Sequence, residues 1–245
     1  MSQNPAYSGI LADAKASPEF KSIFLDLGCC SEYFLSILIS CTGDIQPPHL
    51  VGSDVRKLAL DGYPPSNIIG CDLRSTYIDL GHELYQDSSE TCRIRFITGD
   101  MFDIPLNTVE VEYREVSEIT TLVQLIGRVK YLYVGAVFHL FDENTQLAIA
   151  QRLARLVSRE EGVVIFGRHQ GSEIPTLLHD HLGRKRFGHN PESWRKMWQD
   201  AFTQTDGEAY IRSHVIVNAE LSSSHTLHGI PIAHRQLTWS VHLGW

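Results

Sequence analysis

Two short apolar runs that each close on a carboxylate constrain this chain more than any other feature. The first is Ile23-Phe24-Leu25-Asp26-Leu27-Gly28-Cys29-Cys30 and the second is Asn67-Ile68-Ile69-Gly70-Cys71-Asp72-Leu73. Such runs read as buried strands, and a helix-like stretch lies between them. Two strands that end at acids are how an α/β fold holds a nucleoside. The small-residue turn lets a ligand approach the backbone, and the second carboxylate accepts hydrogen bonds from ribose hydroxyls.

The rest of the chain keeps this alternation. Residues 4–16 read as a short helix and 22–27 as the first strand. A helix over 54–60 ends near Gly62, with Pro64-Pro65 as a stop. The second strand is 67–71. A helix over 75–86 carries Tyr77, Ile78, Leu80 and Leu84 near helical spacing, and the strand 94–98 is closed by Gly99-Asp100. The ambiguous stretch 109–127 contains a helix at 118–125. A near-continuous apolar strand follows at 129–136. Then comes a helix over 143–158 with Leu147, Ile149, Ala150, Leu153 and Leu156 inward. A strand at 163–167 precedes a helix opened by Pro191 and containing Trp194 and Trp198. Segments 210–219 and 236–242 read as an antiparallel pair. The expected fold is α/β: a Rossmann-like three-layer sandwich in one domain, 1–245, with a mostly parallel seven-stranded sheet and a terminal antiparallel strand pair.

Charge excludes some functions. A net charge of −8 over 245 residues argues against a partner held by phosphate contacts, so no nucleic acid is expected. The local basic cluster Arg184-Lys185-Arg186 reads as a solvated loop. Five cysteines, at 29, 30, 41, 71 and 92, are odd in number and lack zinc-site spacing, which fits a reduced, cytoplasmic protein. The first eighteen residues lack the apolar core of a secretory signal, and the apolar run 33–39 is too short for a membrane span. His179 and His181 bracket Asp180 in a polar stretch, so no metal site is expected.

Residues 31–50 interrupt the pattern. Removing them joins Asp26-Leu27-Gly28-Cys29-Cys30 to Val51-Gly52-Ser53-Asp54. The joined string places an acid and then small residues at alternate positions, the spacing of a nucleotide-binding turn that leads into a helix. Three readings stay open: a loop that covers the ligand, a translated intron, or an extra surface helix. Closing a loop of this size costs little, so what matters is whether its ends meet.

The repaired string resembles motif I of class I S-adenosylmethionine (SAM)-dependent methyltransferases. Further phrases resemble the small-molecule methyltransferases of fungal polyketide and meroterpenoid pathways. These are Asn4-Pro5-Ala6-Tyr7, Gly135-Ala136-Val137-Phe138-His139-Leu140-Phe141, Phe166-Gly167-Arg168 and His189-Asn190-Pro191-Glu192-Ser193-Trp194. The resemblance implies SAM as cofactor and a small-molecule acceptor. It places Gly28, Cys30 and Gly52 under the methionine portion, with Asp26 holding the motif together or reaching the amino group. It gives Asp72 the ribose hydroxyls, beside Leu73, and Asp100 the adenine amino group, with Met101 and Phe102 beside the ring. Gly135 and Ala136 face the methionine portion. The chain departs from the pattern in the insert and in beginning later than its relatives, and both bear on activity more than on fold.

Plainer roles stay open. Asp72 could be the N-cap of the helix after it, and Asp100 could cap the next turn. Cys29 and Cys30 suit packing, and Phe138 and Phe141 suit either the core or a substrate wall. Methyl transfer is an in-line displacement that needs alignment and exclusion of water. A hydroxyl acceptor benefits from a base and a carboxylate does not. His139, just past the fourth strand, is the candidate base, although a structural histidine fits as well. Arg168 could pair with a carboxylate, and Phe138, His189 and Trp194 could line the acceptor pocket. The expected activity is O-methylation of a hydroxyl or carboxyl group on a secondary metabolite, with a homodimer left open. The alternatives are a non-catalytic protein of the same fold and a nicotinamide-dependent dehydrogenase. The Gly-x-Gly-x-x-Gly fingerprint of the latter is missing even from the repaired string.

Overall fold

The apolar runs assemble side by side into a sheet whose strands point their acid-bearing ends the same way. A computed structural model describes residues 1–17, 19–29, 52–135, 137–179, 183–222, 226–227, 230–231 and 235–244. Helix α1 (Ala6–Ala16) leads into β1 (Ile23–Leu27), then α2 (Ser53–Leu60), β2 (Ile68–Asp72), α3 (Ser75–Tyr85) and β3 (Arg95–Thr98). Strand β4 (Val129–Val134), helix α4 (Glu143–Leu156) and β5 (Val163–Gly171) complete the parallel part. A hairpin of β6 (Thr176–His179) and β7 (Lys185–Gly188) precedes α5 (Pro191–Asp206), α6 (Glu208–His214) and β8 (Val215–Leu221). A small pair, β9 (Thr226–Leu227) and β10 (Ile230–Pro231), precedes β11 (Arg235–Leu243).

The main sheet has seven strands in the order β3-β2-β1-β4-β5-β11-β8. Neighbours from β3 to β5 are parallel, and β11 runs antiparallel to both β5 and β8. The expected α/β sandwich and its terminal antiparallel pair are therefore present. The order reverses between β1 and β4, where open α/β sheets bind ligands.

Apolar side chains leave both faces of the central strands, so helices must cover both. Ile23, Leu25 and Leu27 of β1 join Leu132 and Ile165 beneath α4 and α5. Phe24 joins Tyr131, Tyr133 and Phe166 on the other face, against Tyr7, Ile10, Val55 and Leu58 of α1 and α2. On α4, Ile149, Ala150, Leu153 and Leu156 are buried, as their spacing predicts. On α3 the expected apolar face divides. Tyr77 and Ile78 pack beside Cys29 and Phe96, whereas Leu80 and Leu84 face solvent.

Four expectations need correction. The stretch 118–125 is no α-helix. It forms two 3₁₀ turns, Val116–Glu118 and Leu122–Leu125, because Thr121 and Gln124 close a capping box within the segment. Residues 210–214 belong to α6, so the following strand starts at Val215. Strand β5 runs on to Gly171, paired along its length with β11. Residues 185–188 are a strand rather than a solvated loop. Arg186 is buried there, and its Nη1 donates to Gln170 Oε1 at 3.0 Å. Asp180 and His181 lie outside the described residues.

Two phrases singled out in the sequence have structural explanations. Asn190 caps α5 by accepting from the Ser193 amide at 2.8 Å, and Pro191 takes the first turn. Asn4 is buried, and its Nδ2 donates to the carbonyls of Gly167 on β5 and Trp239 on β11, each at 3.1 Å. Replacing Asn4 with alanine leaves both carbonyls without that donor. The expected cost is about 1–3 kcal/mol, read as a lower urea midpoint at unchanged m-value.

Candidate active site

The glycine turn is built where β1 stops. Gly28 has φ +75° and Gly52 has φ +68°, left-handed conformations that side-chain-bearing residues rarely adopt. A Cβ on Gly28 would lie 2.6 Å from Val137 Cγ2, so the turn after β1 and the turn after β4 are in close contact. The amides of Gly28 and Cys29 both donate to the Cys71 carbonyl, at 2.9 and 3.1 Å, which fastens the turn to β2. The Gly52 amide donates to the Cys29 carbonyl at 3.1 Å. The two ends of the interrupting segment therefore meet. Cys30 and residues 31–50 lie outside the described residues, but with 31–50 removed Cys29 and Gly52 would be residues i and i+3. Their hydrogen bond has the pattern of a β-turn. Gly52 then opens α2.

Acidic groups face the same edge. Asp26 is buried on β1, and burial raises its pKa well above the usual carboxylate range. Asp54 and Asp72 raise it further, while the Met1 ammonium, 3.3 Å from Asp54, partly offsets them. Tyr133 lies on the same face, its phenol pushed up by burial and by Asp54 and Asp26. Asp72 ends β2, is buried, and accepts from the Arg74 amide at 3.1 Å in a local turn; the N-cap of α3 is Arg74, so Asp72 does not cap that helix. Leu73, next to it, is exposed. Asp100 caps the 3₁₀ turn Met101–Asp103 by accepting from the Phe102 amide at 2.9 Å. Met101 packs against the core, and Phe102 is exposed beneath the Arg152 guanidinium.

Across the switch point the charge reverses. His139 sits on the 3₁₀ turn Phe138–Leu140, just past β4. Burial and the charges of Arg186, Arg184 and Arg168 push its pKa down to about 4. Arg168, on β5, donates from Nε to the Gly135 carbonyl at 3.3 Å, which joins the ends of β4 and β5. Ala136 lies outside the described residues. The β6–β7 hairpin is drawn over this edge. The Phe187 amide donates to the Phe141 carbonyl at 3.0 Å, and Gln146 Nε2 donates to the carbonyls of Phe141 and Phe187 at 2.8 and 2.9 Å.

The proposed pocket wall is instead core. Phe138 and Trp194 are fully enclosed, with ring centroids 5.0 Å apart, and both pack against Trp198 and Trp239. His189 is buried beside Trp194, with Nδ1 2.9 Å from Ser193 Oγ. The indoles of α5 and β11 fill the space that a substrate wall would need. Three groups near the edge were not read from the sequence. His169 stacks on Trp194 at 4.9 Å, and alternation along β5 already placed it opposite Arg168. Tyr133 and Arg56 carried no such signal.

The sheet order and the broken glycine turn define a class of protein before any particular relative is considered. The chain matches no protein-family model. It is 31% identical over 204 residues to the O-methyltransferase phiE of Fungal sp. (strain ATCC 74256), covering 82% of this chain and 55% of that protein. It is 28% identical over 212 residues to the asnovolin E/chermesin D methyltransferase nvfJ of Aspergillus novofumigatus, covering 86% and 63%. The chain thus spans less than two thirds of the length of these relatives. Among solved structures, the 1,6-didemethyltoxoflavin-N1-methyltransferase of Burkholderia thailandensis superposes with TM-score 0.54 at 12% identity, covering 100% of this chain and 80% of that one. The Haemonchus contortus phosphoethanolamine N-methyltransferase 2 also gives 0.54, at 10% identity, covering 99% and 54%. The fold is that of SAM-dependent methyltransferases, and the chain is similar in sequence to fungal proteins named as methyltransferases.

Two outcomes follow from this geometry. Joining residue 30 to 51 keeps the Cys29–Gly52 bond as a β-turn, so the shortened chain is expected to unfold cooperatively with a midpoint no lower than that of the full chain. Burial also pushes the pKa of His189 down to about 4 and that of His169 well below 6.5. Unfolded histidines bind a proton near pH 6.5 while these folded ones stay neutral. The contribution of these two histidines is therefore complete above about pH 6.5 and falls toward pH 4, by up to about 1.4 kcal/mol per pH unit per histidine. Denaturant titrations across that window check the slope, and His189→Asn should flatten it.

Proposed function

We propose that this chain binds SAM at the β1–β2 edge and transfers its methyl group to an oxygen of a small secondary metabolite. The observation that carries this reading is the hydrogen bond from the Gly52 amide to the Cys29 carbonyl. It assembles the glycine turn beside two strands that finish at or near buried acids, despite the interruption between its halves. The charge distribution fits the cofactor as well. Asp26 is crowded by Asp54 and Asp72, and a ligand ammonium placed there would draw its pKa back down. Bound SAM supplies a methyl group on a sulfonium, which departs as a neutral thioether. Relatives named as methyltransferases, and a structural neighbour solved with S-adenosylhomocysteine, support the same cofactor.

On this reading Asp72 accepts the ribose hydroxyls, Leu73 lies beside them, and Asp100 and Met101 border the adenine. Gly28, Cys30, Gly52, Gly135 and Ala136 surround the methionine portion, and Asp26 receives its amino group. The acceptor approaches from the basic side. Burial most of all, and then the positive field of Arg186, Arg184 and Arg168, disfavours the imidazolium of His139. The same field favours an acceptor oxygen in its anionic form. A carboxylate is ready to attack. A hydroxyl passes its proton to neutral His139 as its oxygen bonds to the methyl carbon. With so low a pKa, His139 is a weak base, and the arginines carry more of the activation. The enclosed aromatic groups support the floor of the site.

Titration calorimetry tests the cofactor assignment. SAM is expected to bind and NAD is not. Asp72→Asn removes a charged acceptor and should weaken SAM by about tenfold or more. Mass spectrometry of acidic phenols and aromatic carboxylic acids incubated with the protein and SAM should show a gain of one methyl group. Binding without any transfer would instead favour the non-catalytic alternative, and no binding would remove the proposal.

A further inference from the structure

Gly52 has to hold a left-handed conformation opposite Gly28, yet no short stretch of chain ties it there. Twenty-two residues lie between residue 29 and residue 52, where an uninterrupted glycine turn would fix the spacing covalently. The Gly52 amide is anchored on Cys29, as described. Its carbonyl is anchored separately. It accepts from the Arg56 amide at 3.4 Å and from Arg56 Nη1 at 3.3 Å.

The Arg56 guanidinium is itself fixed on every side. Nε and Nη2 donate to the two carboxylate oxygens of Asp87, each at 2.9 Å. The side chain is nearly buried, with Cζ 4.5 Å from the Tyr85 ring centre and 4.9 Å from that of Phe96. Asp87 is held in turn by His82 Nδ1 at 2.5 Å. Hydrogen bonds from Arg56 and His82 keep the Asp87 carboxyl below its usual pKa against the opposing effect of burial, so it stays charged. A planar fork can grip a carboxylate with one edge and a carbonyl with a third donor, and a lysine ammonium cannot do both.

Resting on the cofactor reading above, we infer that Arg56, clamped by Asp87, is a positioning residue that holds Gly52 in the cofactor turn and thereby sets SAM affinity. Asp87 has a second part in this. SAM carries a sulfonium cation that its demethylated product, S-adenosylhomocysteine, lacks. A guanidinium beside the turn would repel the former more, and the paired carboxylate cancels that repulsion.

The test uses the full chain and its variants Arg56→Gln, Arg56→Lys, Asp87→Asn and His82→Gln. Calorimetry is run with SAM and with S-adenosylhomocysteine, and amide exchange is followed at Gly52. Both Arg56 variants are expected to weaken both ligands by about tenfold, with Arg56→Gln weakening SAM less than S-adenosylhomocysteine because Asp87 is left uncompensated, and to speed exchange at Gly52. Asp87→Asn is expected to weaken SAM more than S-adenosylhomocysteine. His82→Gln removes one of the two partners that hold Asp87, and is expected to lower the unfolding midpoint and to weaken both ligands less than Arg56→Gln does. Wild-type affinity in both Arg56 variants overturns the inference. So does an affinity loss in His82→Gln that matches Arg56→Gln, because the whole patch would then be merely structural. Failure of the unaltered protein to bind either ligand would strike the cofactor reading instead, and Gly52 exchange in the Arg56 variants would still decide the positioning role.

Discussion

One hydrogen bond, from the Gly52 amide to the Cys29 carbonyl, decides whether this fold has a ligand-binding turn at all. Around it the geometry is over-determined. Gly28 and Cys29 are fastened to Cys71, and Gly28 abuts Val137. The turn therefore sits on three strands at once, and the length of chain between its halves has little leverage on it. Proteins accept long surface insertions for this reason. Loop closure grows slowly with length, whereas misplacing a backbone that must meet a ligand is costly.

The second organising fact is the division of charge across the sheet's switch point. Acids gather at the ends of β1 and β2, and guanidinium groups gather past β4 and β5. The carboxylates of Asp26 and Asp72 and the guanidinium of Arg186 are buried, so little water screens them, whereas Arg168 and Arg184 are exposed. On the proposed reading a cationic donor and an electron-rich acceptor would each be held on the side that suits its charge. Orientation then follows from electrostatics as well as from shape.

Much of this was legible in the sequence. Every strand of the parallel part and its helices followed from apolar runs and their stops, and the terminal pair was visible in outline. Local hydrogen bonding decided the errors. The Thr121–Gln124 capping box turned an expected helix into a tight turn, and Arg186, read as solvated, was drawn into a hairpin by Gln170. The acids at 26, 72 and 100 were found because strand ends announce them. Phe138 reads equally as core or pocket wall, and His189 and Trp194 come into a pocket only through a phrase that resembles relatives. Side-chain direction rather than chain position settles that question, and direction depends on the indoles contributed by α5 and β11. Arg56 stayed hidden because its partners, Asp87 and the Gly52 carbonyl, become neighbours only once the chain is folded.

Gln146 gives the hairpin a connection to the rest of the molecule. Its amide bridges Phe141 and Phe187, so the start of α4, the turn after β4 and the β6–β7 ribbon share a single fastening. Natural drift or laboratory evolution that reshapes the ribbon for a bulkier metabolite would therefore tug on the histidine turn and the long helix together. On the proposed reading, changes in substrate range should arrive as correlated sets of substitutions, with Gln146 as the pivot that keeps them in step.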